Sequence, residues 1–112
     1  ADELLNLVLV GKKSATASAL AEYGEDEPLP SVDGKFDILL DGKGQPRAAI
    51  RTSKVYVRKF SEVSAEHAYK EGEGDQSLEY WREVHQDFWN GLGIYQPDMD
   101  VLCEEFEVLY QK

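Results

Sequence analysis

Lys13 and Thr16 are the side chains whose types and spacing most readily do chemistry. A Lys three residues ahead of a hydroxyl, just past Gly11, can lie beside it in a turn. There it can take the hydroxyl proton and leave a nucleophile, provided that burial or the nearby Lys12 and Arg51 lower its hold on its own proton. Glu71 is the third candidate. It closes a short helical pattern beside Gly72 and Gly74, where a carboxylate can act as acid or base or orient the Lys. Each of the three also has an ordinary role: surface charge for Lys12-Lys13, strand hydroxyls for Thr16 and its neighbours, a solvated helix end for Glu71. Spacing alone leaves both roles open.

The remaining reactive side chains are few. His67 and His85 are the only histidines, and neither has a neighbouring set that resembles a nucleophile triad. His85 falls on the apolar face of a helix and reads as a core residue. Trp81 and Trp89 can stack a base, or pack the helix against a sheet. Gly72-Glu73-Gly74 has acidic neighbours and no following Lys-Ser/Thr pair, so it does not make a phosphate loop. Cys103 lies in a strand pattern away from any His and reads as inert. Two His and one Cys do not suffice for a Cys/His zinc site, and no cofactor is expected.

These residues must be positioned by short elements. Asp2 and Glu3, an apolar set at Leu4, Leu5, Val8 and Leu9, and then Gly11 predict a short helix. Ser14, Thr16 and Ser18 alternate with alanines, so an extended chain puts all three hydroxyls on one side. Residues 24–34 are acidic, contain Pro28 and Pro30, and read as a loop. Phe36 to Leu40 and Ala48 to Phe60 predict a hairpin around Asp41-Gly42-Lys43-Gly44-Gln45-Pro46, its long second strand carrying a bulge or bend. Ser64 caps a short helix to about Glu71. Asp75 or Ser77 caps a longer one with Leu78, Trp81, His85 and Phe88 on one face, ended by Gly91. Val101 to Tyr110 predicts a final strand with Leu102, Phe106, Val108 and Tyr110 on one face. The sum is α+β: a small closed or half-closed, mostly antiparallel barrel with helices beside it.

At 112 residues the chain has room for one domain and one real core. At 42% hydrophobic residues it is too apolar to be disordered. One cysteine makes no internal disulfide and points to a reducing cytoplasm. No apolar run is long enough to cross a bilayer, so no membrane role is expected. Beginning at Ala1 and not Met, the chain reads as a processed or trimmed form.

Twelve Lys and Arg against 22 Asp and Glu give a net charge of −10, which argues against non-specific coating of nucleic acid or anionic membrane. The charge is unevenly spread. Residues 42–61 hold Lys43, Arg47, Arg51, Lys54, Arg58 and Lys59 and no acid, which leaves −16 on the remainder. Such a +6 stretch is either a solvated strand edge or a patch facing an anionic ligand. On a regular strand Arg47, Arg51 and Lys59 point one way, Lys54 and Arg58 the other.

Two blocks carry a family likeness. Gly11-Lys12-Lys13-Ser14-Ala15-Thr16-Ala17-Ser18, and His67 to Asp75 running into Ser77-Leu78-Glu79-Tyr80-Trp81-Arg82, resemble the ASCH domain family, in its bacterial stand-alone branch. The predicted hairpin and last strand fit the same order, so the resemblance covers nearly the whole chain, 1–112, as one ASCH domain. It implies a PUA-like barrel, mixed or antiparallel, with flanking helices and a cleft between barrel and helix. It implies RNA- or nucleoside-related work. Some relatives are amidohydrolases that remove an acyl group from N4-acylated cytidine, and others are ribonucleases.

In the amidohydrolase relatives a Lys, a Thr three residues later and a downstream Glu are catalytic. By that resemblance Thr16 attacks the acyl carbon, Lys13 takes its proton, and Glu71 holds the Lys or protonates the leaving amine. The commoner ASCH motif has Glu and Arg where Thr16 and Ser18 stand here. Ser14, Ser18 and Trp81 are then substrate-side candidates, with Arg51 or Arg82 supplying the phosphate or ribose contacts that the missing Arg would make. Relatives in this branch carry a further segment before the first helix. The partner implied is a nucleoside or a short single-stranded RNA. The alternatives are a ribonuclease or RNA-binding module, and a non-catalytic ligand- or protein-interaction domain.

Overall fold

The computed structural model describes residues 2–112. Helix α1 spans Asp2–Leu9, strand β1 Ala15–Ala19, β2 Asp37–Leu40 and β3 Pro46–Lys59. Helix α2 then spans Ala65–Glu71, α3 Leu78–Gly91, and β4 Asp100–Gln111. Short 3-10 turns at Leu20–Glu22 and Phe60–Glu62 follow β1 and β3. The strands form one antiparallel sheet in the order β1-β4-β3-β2. It curls into a half-barrel with helices beside it, the expected α+β class.

Local chemistry explains the boundaries. The β2–β3 hairpin turns on Asp41, whose Oδ1 accepts from the backbone N–H of Lys43 and of Gln45, both at 2.9 Å. The ladder between β3 and β4 slips at Ala49/Ile50 and at Thr52/Lys54, the irregularity that so long a strand calls for. Ser64 Oγ accepts from His67 N at 3.0 Å and Ser77 Oγ from Tyr80 N at 3.0 Å, capping α2 and α3.

The core lies between one face of the sheet and α2 and α3. Ala19, Val101 and Cys103 face Phe60, Val63, Ala68, Trp81 and Trp89. Phe60 is central, with ring centroids 5.4 Å from Trp81, 6.1 Å from Trp89 and 5.0 Å from Tyr95. Two expected faces are corrected. Phe88 is 59% exposed, and Trp89 takes its place at 2%. At about 100° per residue, Leu78, Trp81, His85 and Trp89 form one stripe, with Phe88 at its edge. On β4 both faces are buried at the start, at Val101, Leu102 and Cys103, whereas Val108 and Tyr110 are exposed.

Candidate functional site

Gly11 (φ +82°) ends α1, and Lys12 N and Lys13 N both donate back to Leu7 O, at 2.9 and 3.0 Å. The chain then runs beside the end of α2, where Ser14 N donates to Lys70 O at 2.7 Å. The approach is so close that a Cβ on Gly72 (φ +74°) would lie 2.3 Å from Lys12 O. This contact aims Lys13, buried at 8% exposure, towards the helices.

Lys13 Nζ donates to Ala15 O at 2.9 Å, Glu71 O at 3.3 Å and Glu73 Oε2 at 3.1 Å, and lies 4.0 Å from Glu71 Oε1. Three acceptors match the three N–H bonds of an ammonium, which leaves no lone pair facing a hydroxyl. Glu71, 2% exposed, is the hub of a buried polar network. Its Oε2 accepts from His67 Nε2 and Trp81 Nε1, both at 2.6 Å, and His85 Nε2 lies 3.7 Å from its Oε1. Burial pushes the Glu71 carboxyl up. The hydrogen bond from His67, the charge of His85 and the hydrogen bond from Trp81 outweigh that and hold it below the usual range.

The network continues to the surface. His67 Nδ1 lies 3.0 Å from the Tyr56 hydroxyl, which donates to Glu105 Oε2 at 3.2 Å, and Lys70 Nζ donates to Glu105 Oε1 at 2.9 Å. Burial is the main cause that keeps the Tyr56 hydroxyl protonated well above the usual phenol range. Tyr56 was not singled out from sequence. The signal was the alternation Lys54-Tyr56-Arg58, which puts three functional side chains on one face of β3.

Thr16 lies elsewhere. Ala15, Ala17 and Ala19 face the core, so Thr16 and Ser18 point to the other side of β1. Lys13 and Glu71 are thus brought together, while no hydrogen bond joins Thr16 to either among the described residues. Ser18 Oγ instead lies 3.0 Å from the Tyr23 hydroxyl, and Thr16 pairs across the ladder with Glu104. On this face a groove of about 610 Å3 opens between the sheet and residues 28–37, lined by Tyr23, Phe36, Asp33, Asp37, Thr52 and Glu104. Glu104 was also missed. Its half-buried carboxyl is pushed up by burial and then by the charge of Asp37. The Glu104-Glu105 pair directly after Val101-Leu102-Cys103, which puts a carboxylate on each face of the strand, was the sequence signal.

The other candidates are dispersed. Trp81 is 2% exposed, stacked on His85 at 4.2 Å and bonded to Glu71, so its ring is committed to the core. Arg51 donates to Glu107 and Arg82 to Ser61 O at 2.9 Å. Ser14 makes only the backbone bonds that tie β1 to α2 and to Phe106. Among the described residues no group of three His, Cys, Asp or Glu is placed to hold a metal ion, and no helix is long and apolar enough to cross a membrane.

The ASCH domain family matches residues 1–110. Among solved structures, the chain is similar to an ASCH domain crystal structure from Lactobacillus crispatus, at 33% identity and a TM-score of 0.87. The match covers 98% of this chain and 72% of that one. It is also similar to an Enterococcus faecalis protein, at 40% identity and a TM-score of 0.82 over the same shares of each chain. No curated protein matches the sequence. The sequence match over nearly its full length and these two structural likenesses show that the chain belongs to the ASCH domain family.

Proposed function

We propose that this ASCH domain binds an uncharged nucleoside in the groove between the sheet and residues 28–37, in keeping with RNA-related work. The observation that carries this reading is the groove's lining. Its volume suits a single nucleoside and not a folded polynucleotide. Tyr23 and Phe36 offer aromatic faces, and Thr52 with Tyr23 offers hydroxyls for a ribose. Asp33, Asp37 and Glu104 outnumber the single cation, Lys35. Carboxylates repel a phosphate but accept hydrogen bonds from an exocyclic amine such as that of cytosine. The test is isothermal titration with cytidine and uridine. Cytidine binds more tightly than uridine, and Glu104→Gln erases the difference. Equal affinity of the wild type for both, or no affinity for either, refutes the reading.

Hydrolysis of N4-acylated cytidine is the second reading, favoured by the pairing of Thr16 with Glu104 on the groove side. Thr16 attacks the acyl carbon, and the Glu104 carboxylate, held above its usual range, takes the hydroxyl proton. It passes that proton to the N4 amine as the C–N bond breaks, and water then hydrolyses the acyl-threonine ester. In this reading Lys13 and Glu71 fix β1 against α2. The assay is release of cytidine from N4-acetylcytidine. Thr16→Ala abolishes turnover, and Lys13→Ala acts through stability. No turnover by the wild type removes this reading and leaves the binding one standing.

A further inference from the structure

We propose a second site, a pocket for a phosphate group between β3 and α2, on the opposite face of the sheet from the groove. Successive residues of β4 define the two faces: Glu104 lines the groove and Glu105 lines this pocket. The pocket is about 150 Å3. That is about a quarter of the groove's volume and room for a tetrahedral oxyanion.

Charge pairing separates this pocket from the rest of the basic stretch. Arg47 pairs with Asp41, Arg51 with Glu107, and Lys59 with Asp100. Among the described residues Lys54 and Arg58 have no carboxylate within ion-pairing distance. Both lie against the Tyr56 ring, Lys54 Nζ at 5.2 Å and the Arg58 guanidinium at 4.7 Å from its centroid. A shared ring draws two like charges together, which their repulsion disfavours unless an anion joins them. Two carboxylates also border the pocket, Glu66 and Glu105, and Lys70 engages both, at 3.2 and 2.9 Å. The lining thus holds two cations without a carboxylate partner, while both of its carboxylates pair with Lys70, which lies outside it.

One neutral donor completes the lining. Ser64 Oγ accepts from His67 N, which leaves its own hydrogen free to donate. The Tyr56 hydroxyl, whose proton goes to Glu105, and His67 form the floor. Arg58 Nη1 donates to Val57 O at 2.9 Å, and its remaining N–H groups with the point charge of Lys54 are left for a phosphate oxygen, a recurrent pattern of phosphate recognition. The phosphate can belong to a free ion or mononucleotide, or to an RNA backbone.

The experiment is amide chemical-shift titration of the full chain with inorganic phosphate, and separately with a short oligouridylate, at low and at raised salt. Both ligands shift residues 54–58 and 64–67, and the doubly substituted Lys54→Gln/Arg58→Gln chain loses at least about tenfold in affinity. Lys59→Gln, outside the pocket, keeps wild-type affinity. An oligouridylate that binds more tightly than phosphate and loosens steeply with salt assigns the site to an RNA backbone. Comparable affinities assign it to a free phosphate group. Shifts elsewhere, no shifts with either ligand, or undiminished binding by a folded double variant overturn the proposal. Glu104→Gln leaves phosphate binding unchanged, which separates this site from the groove.

Discussion

Gly72→Ala is the sharpest test of how the site is held. A Cβ at Gly72 would sit 2.3 Å from Lys12 O and 2.6 Å from Lys12 C, both backbone atoms, so no side chain can swing aside. The residue also sits at φ +74°, where any L side chain costs about 1–2 kcal/mol. Forcing α2 away from the Lys12 backbone adds a packing cost of about 1–3 kcal/mol. The sum, about 2–5 kcal/mol, is a large share of the roughly 5–15 kcal/mol that holds a domain folded. With a urea m-value of about 2 kcal/mol/M, the unfolding midpoint falls by about 1–2.5 M. Gly11→Ala is the internal control. Gly11 has φ +82° and nothing within 4 Å of the added carbon, so it registers the backbone cost alone, about 0.5–1 M. The difference between the two variants measures the close approach. Equal midpoints would refute the claim that α2 is clamped against Lys12, and with it the account of how Lys13 reaches Glu71.

Glu71→Ala strands the N–H groups of Trp81 and His67 and costs about 3–5 kcal/mol in urea unfolding followed by Trp fluorescence; Glu71→Gln, which keeps one acceptor oxygen, costs less. Because the folded chain holds the Glu71 carboxyl below its ordinary 4.5, its contribution to stability is complete above about pH 4.5. That contribution fades as pH falls through the lower folded value, and a pH series of unfolding midpoints should show an acid arm that Glu71→Gln flattens. Cys103 is fully buried, and burial, then the charge of Glu71, pushes its thiol up to about 12. A thiol reagent at mildly alkaline pH therefore reacts only at the rate of unfolding, and rapid modification of the native chain contradicts this.

Much of the fold was legible because its signals are local. Ser77 ahead of Leu78, Trp81 and His85 marks α3, and Asp41 to Gln45 marks the hairpin; each needs only a few neighbouring residues. The family likeness carried the half-barrel and the proximity of Lys13 to Glu71. What local reading lacked was the direction of side chains across the sheet. Thr16 follows a strand alternation visible in sequence, but Lys13 precedes the strand, and only its contact with α2 decides which side the ammonium takes. The choice between solvated edge and ligand patch for residues 42–61 also depended on partners. Glu107, Asp100 and Asp41 neutralise three of those cations, and two of those acids lie on a strand some fifty residues further on. Glu104 and Tyr56 were overlooked because each was read as a member of a strand and not for what faces it.

The sheet order has a bearing on biosynthesis. β4 lies between β1 and β3, so the first strand and the hairpin share no direct pairing. Residues 1–99 can leave the ribosome with β1 unpaired and with Trp81, Trp89 and Phe60 lacking the wall that Val101 and Cys103 supply. Only when residues 100–111 emerge can both halves close, in one late step. A chain that stops before Asp100 should therefore be protease-sensitive, and one that carries residues 100–111 as well should be resistant.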